Sequence, residues 1–145
     1  MNLVQLLNEK LDMNVKRPDS YGDWLGYEIE KADKGNVTTF LKIREDHLSP
    51  SGAVHGGAIS GFLDFSCGCA VFSVLEKGSL CSTVELNVKY FKPVQNGDKI
   101  ISYAEVVNQG KRLCSVLAKV YKEGDERNPV ALATGTFNIY PIKKS

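Results

Sequence analysis

A run of twenty residues, Gly56 to Leu75, limits what this chain can become. Ala58, Ile59, Phe62, Leu63, Phe65, Ala70, Val71, Phe72, Val74 and Leu75 cover almost every face of a helix, and the run is too long for a typical strand. A helix that is apolar all round is buried all round. Gly57, Gly61 and Gly68 are poor helix formers and point to close approach by other backbone. Asp64 stands in the middle, with Ser60, Ser66 and Ser73 around it. A central aspartate costs about 2.5–3.5 kcal/mol on the membrane-insertion scale, so the run reads as the core helix of a globular domain and not as a membrane span.

The segments around this helix have other periods. Leu3, Val4, Leu6, Leu7 and Leu11 recur at helical spacing, which predicts an amphipathic helix over residues 2–12. A loop with Pro18 and Asp19 follows. Trp24 to Glu30 and Asn36 to Ile43 read as strands separated by a turn at Lys34-Gly35. Trp24 is read as a core or rim anchor. Residues 44–54, with Ser49, Pro50, Ser51 and Gly52, form a loop that feeds straight into the apolar helix. Beyond it, Val84, Leu86, Val88 and Tyr90 alternate with polar residues until Pro93 stops the strand. Ile100 to Val107, Leu113 to Tyr121 and Val130 to Tyr140 complete the set. Short turns between consecutive strands predict antiparallel pairing. The class is α+β, a curved antiparallel sheet wrapped around the central helix, with a second copy of the chain needed to cover the rest of that helix.

Composition narrows the function. At 145 residues the chain is one domain, with residues 1–20 as an N-terminal helix and loop. Its net charge of +1 lacks the basic footprint of nucleic-acid binding. Nothing near Met1 has the basic start and short apolar core of a signal peptide. Cys67, Cys69, Cys81 and Cys114 include no C-x-x-C pair, and only His47 and His55 are available as imidazole ligands, so no metal site is expected. The cysteines read as reduced core residues, in keeping with a cytoplasmic address.

The chemistry concentrates in Val54-His55-Gly56-Gly57-Ala58-Ile59-Ser60-Gly61-Phe62-Leu63-Asp64. The helix start offers unpaired N–H groups and the positive end of the macrodipole, and glycine lets a ligand reach that backbone. Such a site suits the oxyanion of a carbonyl under attack. Asp64 is a lone carboxylate in an apolar helix. Burial disfavours the ionised form of a carboxylate, which suits a general base. Gly56 and Asp64 are separated by about 12 Å at 1.5 Å of rise per residue, too far to serve one reacting carbon. Two antiparallel copies of the helix bring Asp64 of one against Gly56 of the other, which predicts a symmetric homodimer with two shared sites.

These residues resemble the hotdog-fold acyl-CoA thioesterases, in particular the PaaI-like branch named for phenylacetic acid degradation. The resemblance runs from about Trp24 to Tyr140. It rests on Gly52-Ala53-Val54-His55-Gly56-Gly57, on the acid nine residues after His55, and on Thr83-Val84-Glu85-Leu86-Asn87-Val88 followed by Lys92-Pro93-Val94. It implies a hotdog fold and hydrolysis of acyl-CoA to free acid and CoA, with coenzyme A as part of the substrate and no separate cofactor. Asp64 is then nucleophile or general base, the Gly56 N–H polarises the thioester carbonyl, His55 positions the loop or thioester, and Thr83 orients the attacking water. Gly57 and Tyr90 join the substrate-binding set, with Lys89, Lys92, Lys111 and Arg112 as candidates for the nucleotide. Relatives often carry Asn or Gln six residues before the histidine, where this chain has Ser49. Relatives are commonly dimers of dimers, which implies a homotetramer. A non-catalytic acyl-CoA-binding hotdog module is the alternative, and a hotdog dehydratase fits the His-Gly-Gly spacing less well.

Overall fold

The computed structural model describes residues 20–142. The predicted helix over residues 2–12 lies outside them. Within them the order is α1 (Tyr21–Leu25), β1 (Glu28–Asp33), β2 (Asn36–Lys42), a 3-10 turn (Glu45–His47), α2 (Gly56–Val74), β3 (Ser79–Tyr90), β4 (Lys99–Gln109), β5 (Leu113–Lys122) and β6 (Ala131–Pro141). The six strands form one antiparallel sheet in the order β1-β2-β4-β5-β6-β3, curved around α2. This is the expected hotdog architecture.

Two local expectations fail. Trp24 does not begin a strand. Residues 21–25 make a helical turn, closed by Gly26 at φ 85°, a left-handed conformation that suits glycine, with its N–H on the Asp23 and Gly22 carbonyls. Ser20 Oγ donates to Asp23 Oδ2 at 2.9 Å. Local capping outweighs the strand preference of the aromatic residues, and Trp24 is left 63% exposed, not buried as an anchor. Nor does β3 pair with β4. It pairs with β6 at the far edge, while β4 returns to β2. The connection over residues 91–98 packs across the end of the domain, with Val94 buried and its carbonyl accepting the Val54 N–H at 2.9 Å. It is therefore not a hairpin. β3 also begins at Ser79, before the alternating apolar pattern is readable.

Small side chains decide where α2 sits. Ala104 pairs with Ala118 and Ala118 with Ala133, so three strands contribute a row of buried alanines. Phe62, Leu63, Cys67, Ala70 and Val71 of α2 are buried in the core that this row floors. Beside the row lie three buried hydroxyls. Thr39 Oγ1 meets Ser66 Oγ at 2.6 Å, and Ser66 Oγ donates to the Phe62 carbonyl at 2.7 Å. The third, Ser102 opposite Thr39, has no hydrogen-bond partner among the described residues.

The burial of α2 is not complete. Ala58, Gly61, Asp64, Phe65 and Gly68, at three- and four-residue spacing, form a half-buried stripe that the sheet does not cover. The helical glycines face side chains and not backbone. A Cβ on Gly61 would lie 2.5 Å from Tyr27 Oη, so the buried tyrosine would have to shift, whereas one on Gly68 would meet Phe137 Cε1 at 3.6 Å, an ordinary contact. Glycine inside a helix costs about 1 kcal/mol relative to alanine. At Gly61 packing accounts for that cost; at Gly68 packing does not.

An unpartnered buried hydroxyl costs about 1–3 kcal/mol. Ser102→Ala is therefore expected to stabilise the fold by about 1 kcal/mol in denaturant unfolding. A loss of stability would mean that Ser102 Oγ is hydrogen-bonded after all.

Candidate active site

The loop before α2 is held from both sides. Arg44 N–H donates to Nδ1 of the buried His47 at 3.0 Å, so His47 carries its proton on Nε2 and donates it to the Leu25 carbonyl at 2.7 Å. The His47 carbonyl accepts the His55 N–H at 2.8 Å. His47 thus ties α1 to the start of α2. The sequence marked it only as a scarce imidazole, since its role depends on carbonyls distant in the chain.

His55 is the N-cap of α2. Its Nδ1 accepts the Gly57 N–H at 2.8 Å, which leaves the ring proton on Nε2, and its carbonyl accepts the Ala58 N–H at 2.9 Å. The Gly56 N–H has no acceptor among the described residues. Tyr90 Oη donates to the Gly56 carbonyl at 3.0 Å, and the Tyr90 ring lies 3.5 Å from where a Gly56 Cβ would stand. The fold thereby brings His55, Gly56, Gly57 and Tyr90 together and leaves one backbone donor free at a helix N-terminus.

Asp64 lies about 12 Å further along the helix. It is half-buried, not enclosed as the sequence implied, and its Oδ1 accepts the Thr83 hydroxyl proton at 2.6 Å. A β-bulge between Thr83 and Glu85 interrupts the β3–β6 register at this point. Asp64 and Thr83 sit on the wall of a cavity of about 340 Å³ lined also by Tyr21, Tyr27, Phe65, Phe72 and Phe137. Tyr27 Oη donates to the Ala58 carbonyl at 3.2 Å, and burial followed by the neighbouring Tyr21 raises the Tyr27 hydroxyl well above its ordinary pKa.

Other candidates lie apart from this pair. Ser49 Oγ is spent on its own turn, at 3.0 Å from the Ala53 carbonyl and 2.7 Å from Ser51 Oγ. Lys89 and Lys92 are exposed, and Lys92 Nζ lies 4.0 Å from Asp125 Oδ2. Lys111 and Arg112 are exposed on the β4–β5 turn. The cysteines are free, and burial pushes the thiol of Cys67 up to about 12. Burial, then Cys114 and Asp64, brings Cys81 to about 11, which makes both poor nucleophiles near neutrality. Among the described residues no group of three His, Cys, Asp or Glu could hold a metal ion.

Comparison with known proteins gives the same architecture a lineage. The model of the Thioesterase superfamily matches residues 51–128, which include both the His55 loop and Asp64. Acyl-coenzyme A thioesterase 13 of Homo sapiens is 32% identical over 85 residues, spanning 59% of this chain and 60% of that protein. A variant of the phenylacetic acid degradation protein PaaI from Thermus thermophilus superposes with TM-score 0.74 at 26% identity, covering 83% of this chain and 98% of the other. A hypothetical thioesterase of Streptococcus pneumoniae, solved with coenzyme A, gives TM-score 0.73 at 27% identity, covering 82% and 92%.

The caps and thiols make two predictions. His55→Ala is expected to cost about 1 kcal/mol of stability in denaturant unfolding, the usual worth of an N-cap. Labelling of half-buried Cys81 by a thiol reagent should accelerate about tenfold per pH unit and level off only near pH 11, because the thiolate is the reacting form. A plateau close to pH 8.5 would contradict the effect of burial.

Proposed function

The chain belongs to the thioesterase superfamily, and from that membership we propose that it hydrolyses acyl-CoA thioesters at a site shared by two copies of the chain. The observation that carries this reading is the pair of complementary half-sites on α2. The free Gly56 N–H is at one end and the Asp64–Thr83 pair lies about two turns on. The half-sites are too far apart for one chain, and a twofold axis beside the uncovered stripe would unite them. The unpaired edge of β3, with Val84, Tyr90 and Phe91 exposed, supports a homodimer built along that side, and a dimer of dimers remains part of the proposal. The human relative named acyl-coenzyme A thioesterase 13 and the Streptococcus structure with coenzyme A support the choice of substrate.

In this mechanism Thr83 donates its proton to Asp64 Oδ1, which leaves Asp64 Oδ2 and a Thr83 lone pair to accept the two protons of one water. A water held by both hydrogens presents its lone pair to the thioester carbon. Asp64 takes a proton as the C–O bond forms. The Gly56 N–H of the partner copy stabilises the oxyanion, with the Nε2–H of its His55 as a second donor. The intermediate then expels the CoA thiolate, which recovers the proton from Asp64. Lys89 and Lys92, with Lys111 and Arg112, are proposed as surface charges for the nucleotide phosphates. The commitment of the Ser49 hydroxyl to its own turn favours one competing reading, a module that binds acyl-CoA without turning it over.

Asp64→Asn is expected to lower kcat for thiol release by about 10²–10⁴, the usual worth of a general base, with the oligomer unchanged in light scattering. Thr83→Val should cost less, since the carboxylate remains. Full turnover by Asp64→Asn, or its dissociation into monomers, would refute the assignment. A single turnover in H₂¹⁸O separates the two roles of Asp64. General-base attack puts label into the released acid and none into the protein, whereas label in Asp64 marks an acyl-aspartyl intermediate opened by water at its aspartyl carbon.

A further inference from the structure

We propose that His47 is a positioning residue of this hydrolase: its imidazole anchors the hairpin over residues 47–55 and thereby aims the Gly56 N–H at the oxyanion. The inference rests on the reading of Gly56 given above, and its test separates the two.

The mechanism uses His55 and gives His47 no task. Yet His47 is 1% exposed, while the other buried polar side chains among the described residues are the core hydroxyls of Thr39, Ser66 and Ser102. Burying an imidazole is costly unless both ring nitrogens find partners. Both do. Nδ1 closes the 3-10 turn by accepting the Arg44 N–H, and Nε2 reaches the last residue of α1, Leu25, twenty-two positions back. Capping of α1 does not account for that second bond. The Leu25 carbonyl already has a donor in Arg44 Nη1 at 3.1 Å, and the Trp24 carbonyl has one in Arg44 Nη2. What the imidazole adds is a fixed position for the backbone of residue 47.

That backbone is one hydrogen bond from the chemistry. The His47 carbonyl accepts the His55 N–H at 2.8 Å, Leu48 bridges Val54, and the Ser49 N–H donates to the Ala53 carbonyl at 2.7 Å. Residues 47–55 thus form a small hairpin with Pro50, Ser51 and Gly52 exposed at its tip, and His47 is the only buried residue in it. The peptide after His55 carries the Gly56 N–H. The next peptide is held on the helix side, by the Gly57 N–H on His55 Nδ1 and by Tyr90 Oη on the Gly56 carbonyl. The Gly56 N–H therefore lies between two fixed points, and the upstream one is His47. A displacement of about 1 Å in such a group costs on the order of 10² in rate.

The N–H itself can be deleted cleanly. Gly56 is the first residue of α2, where proline is favoured, and His55 at φ −65° and ψ 136° already has the extended conformation that precedes proline. A Cβ at position 56 would meet the Tyr90 ring at an ordinary 3.5 Å. The test measures kcat and KM for thiol release from octanoyl- and phenylacetyl-CoA by wild type, His47→Leu, Gly56→Pro and the double variant. His47→Leu is expected to lower kcat about thirtyfold with KM within about threefold. Gly56→Pro lowers kcat by about 10²–10³. With the Gly56 N–H gone, His47→Leu costs less than about twofold more, because two changes acting through one group do not add. The same thirtyfold loss in both backgrounds would mark a merely structural role and overturn the inference. His47→Asn keeps an acceptor near the Nδ1 position and drops the donor to Leu25. Its expected loss of about fivefold, again absent beside Gly56→Pro, carries the test if the leucine variant does not fold. Unchanged kcat in the His47 variants, with Gly56→Pro impaired, overturns the inference and leaves the Gly56 reading intact. Full turnover by Gly56→Pro overturns that reading. Hydrogen exchange of the His55 amide needs no turnover and is expected to quicken about tenfold in His47→Leu. Unchanged exchange overturns the anchor. Absence of turnover in wild type overturns the hydrolase reading, and the exchange rate then decides the anchor by itself.

Discussion

Everything in this molecule follows from the need to cover one apolar helix. α2 has no polar face to give to solvent, so the sheet must bend round it and offer a surface close enough to exclude water. The alanines at positions 104, 118 and 133 supply that surface, because a row without bulk lets the helix approach three strands at once. The bend has a limit. Six strands cover most of the helix circumference and leave the stripe through Gly61, Asp64 and Gly68 half-buried. A carboxylate on the covered side would be an uncompensated charge in the core; on the stripe it meets a hydroxyl and a cavity.

The N-terminus and the middle of α2 do different electrostatic work. At the N-terminus the donors are sorted one by one. Gly57 is capped by His55 Nδ1, Ala58 is satisfied by the His55 carbonyl, and Gly56 is left over. A histidine cap is an unusual choice beside Ser, Thr, Asp or Asn, but its acceptor nitrogen fixes which ring atom carries the proton. The ring is neutral while it caps. Halfway along, Asp64 is beyond the first turn, where the macrodipole has faded, and the Thr83 hydroxyl supplies its local polarity instead.

Much of the fold was legible in the sequence because its signals were local. Twenty apolar residues announced α2, strict alternation from Val84 to Tyr90 announced the body of β3, and Asn-Gly and Gly turns placed the later strands. The pairing of β3 with β6 was not legible, since a short connection looks like a hairpin until one knows that α2 must be enclosed and that Val94 plugs the end of the domain. α1 was hidden because one glycine in the left-handed region outweighed aromatic strand formers. Within the site, the grouping of His55, Gly56 and Gly57 was readable from adjacency. The bond from Thr83 to Asp64 was not legible, because nineteen residues and a bulge separate the two, and the family resemblance implied for Thr83 only the orienting of a water. The roles of His47 and of the Ser49 hydroxyl depend on backbone carbonyls that no periodicity reveals.

The bulges have one more consequence, for solubility. The two outer strands of the sheet, β1 and β3, each carry a break in register, between Ile29 and Lys31 in one and between Thr83 and Glu85 in the other. A smooth outer strand of this length, with apolar residues along it, would be a template for open-ended fibrils. A kinked strand offers only short stretches of regular ladder, so strand after strand cannot be added without limit. The irregularity beside Asp64 and Thr83 thus also shortens the stretch of edge on which a further strand could be templated.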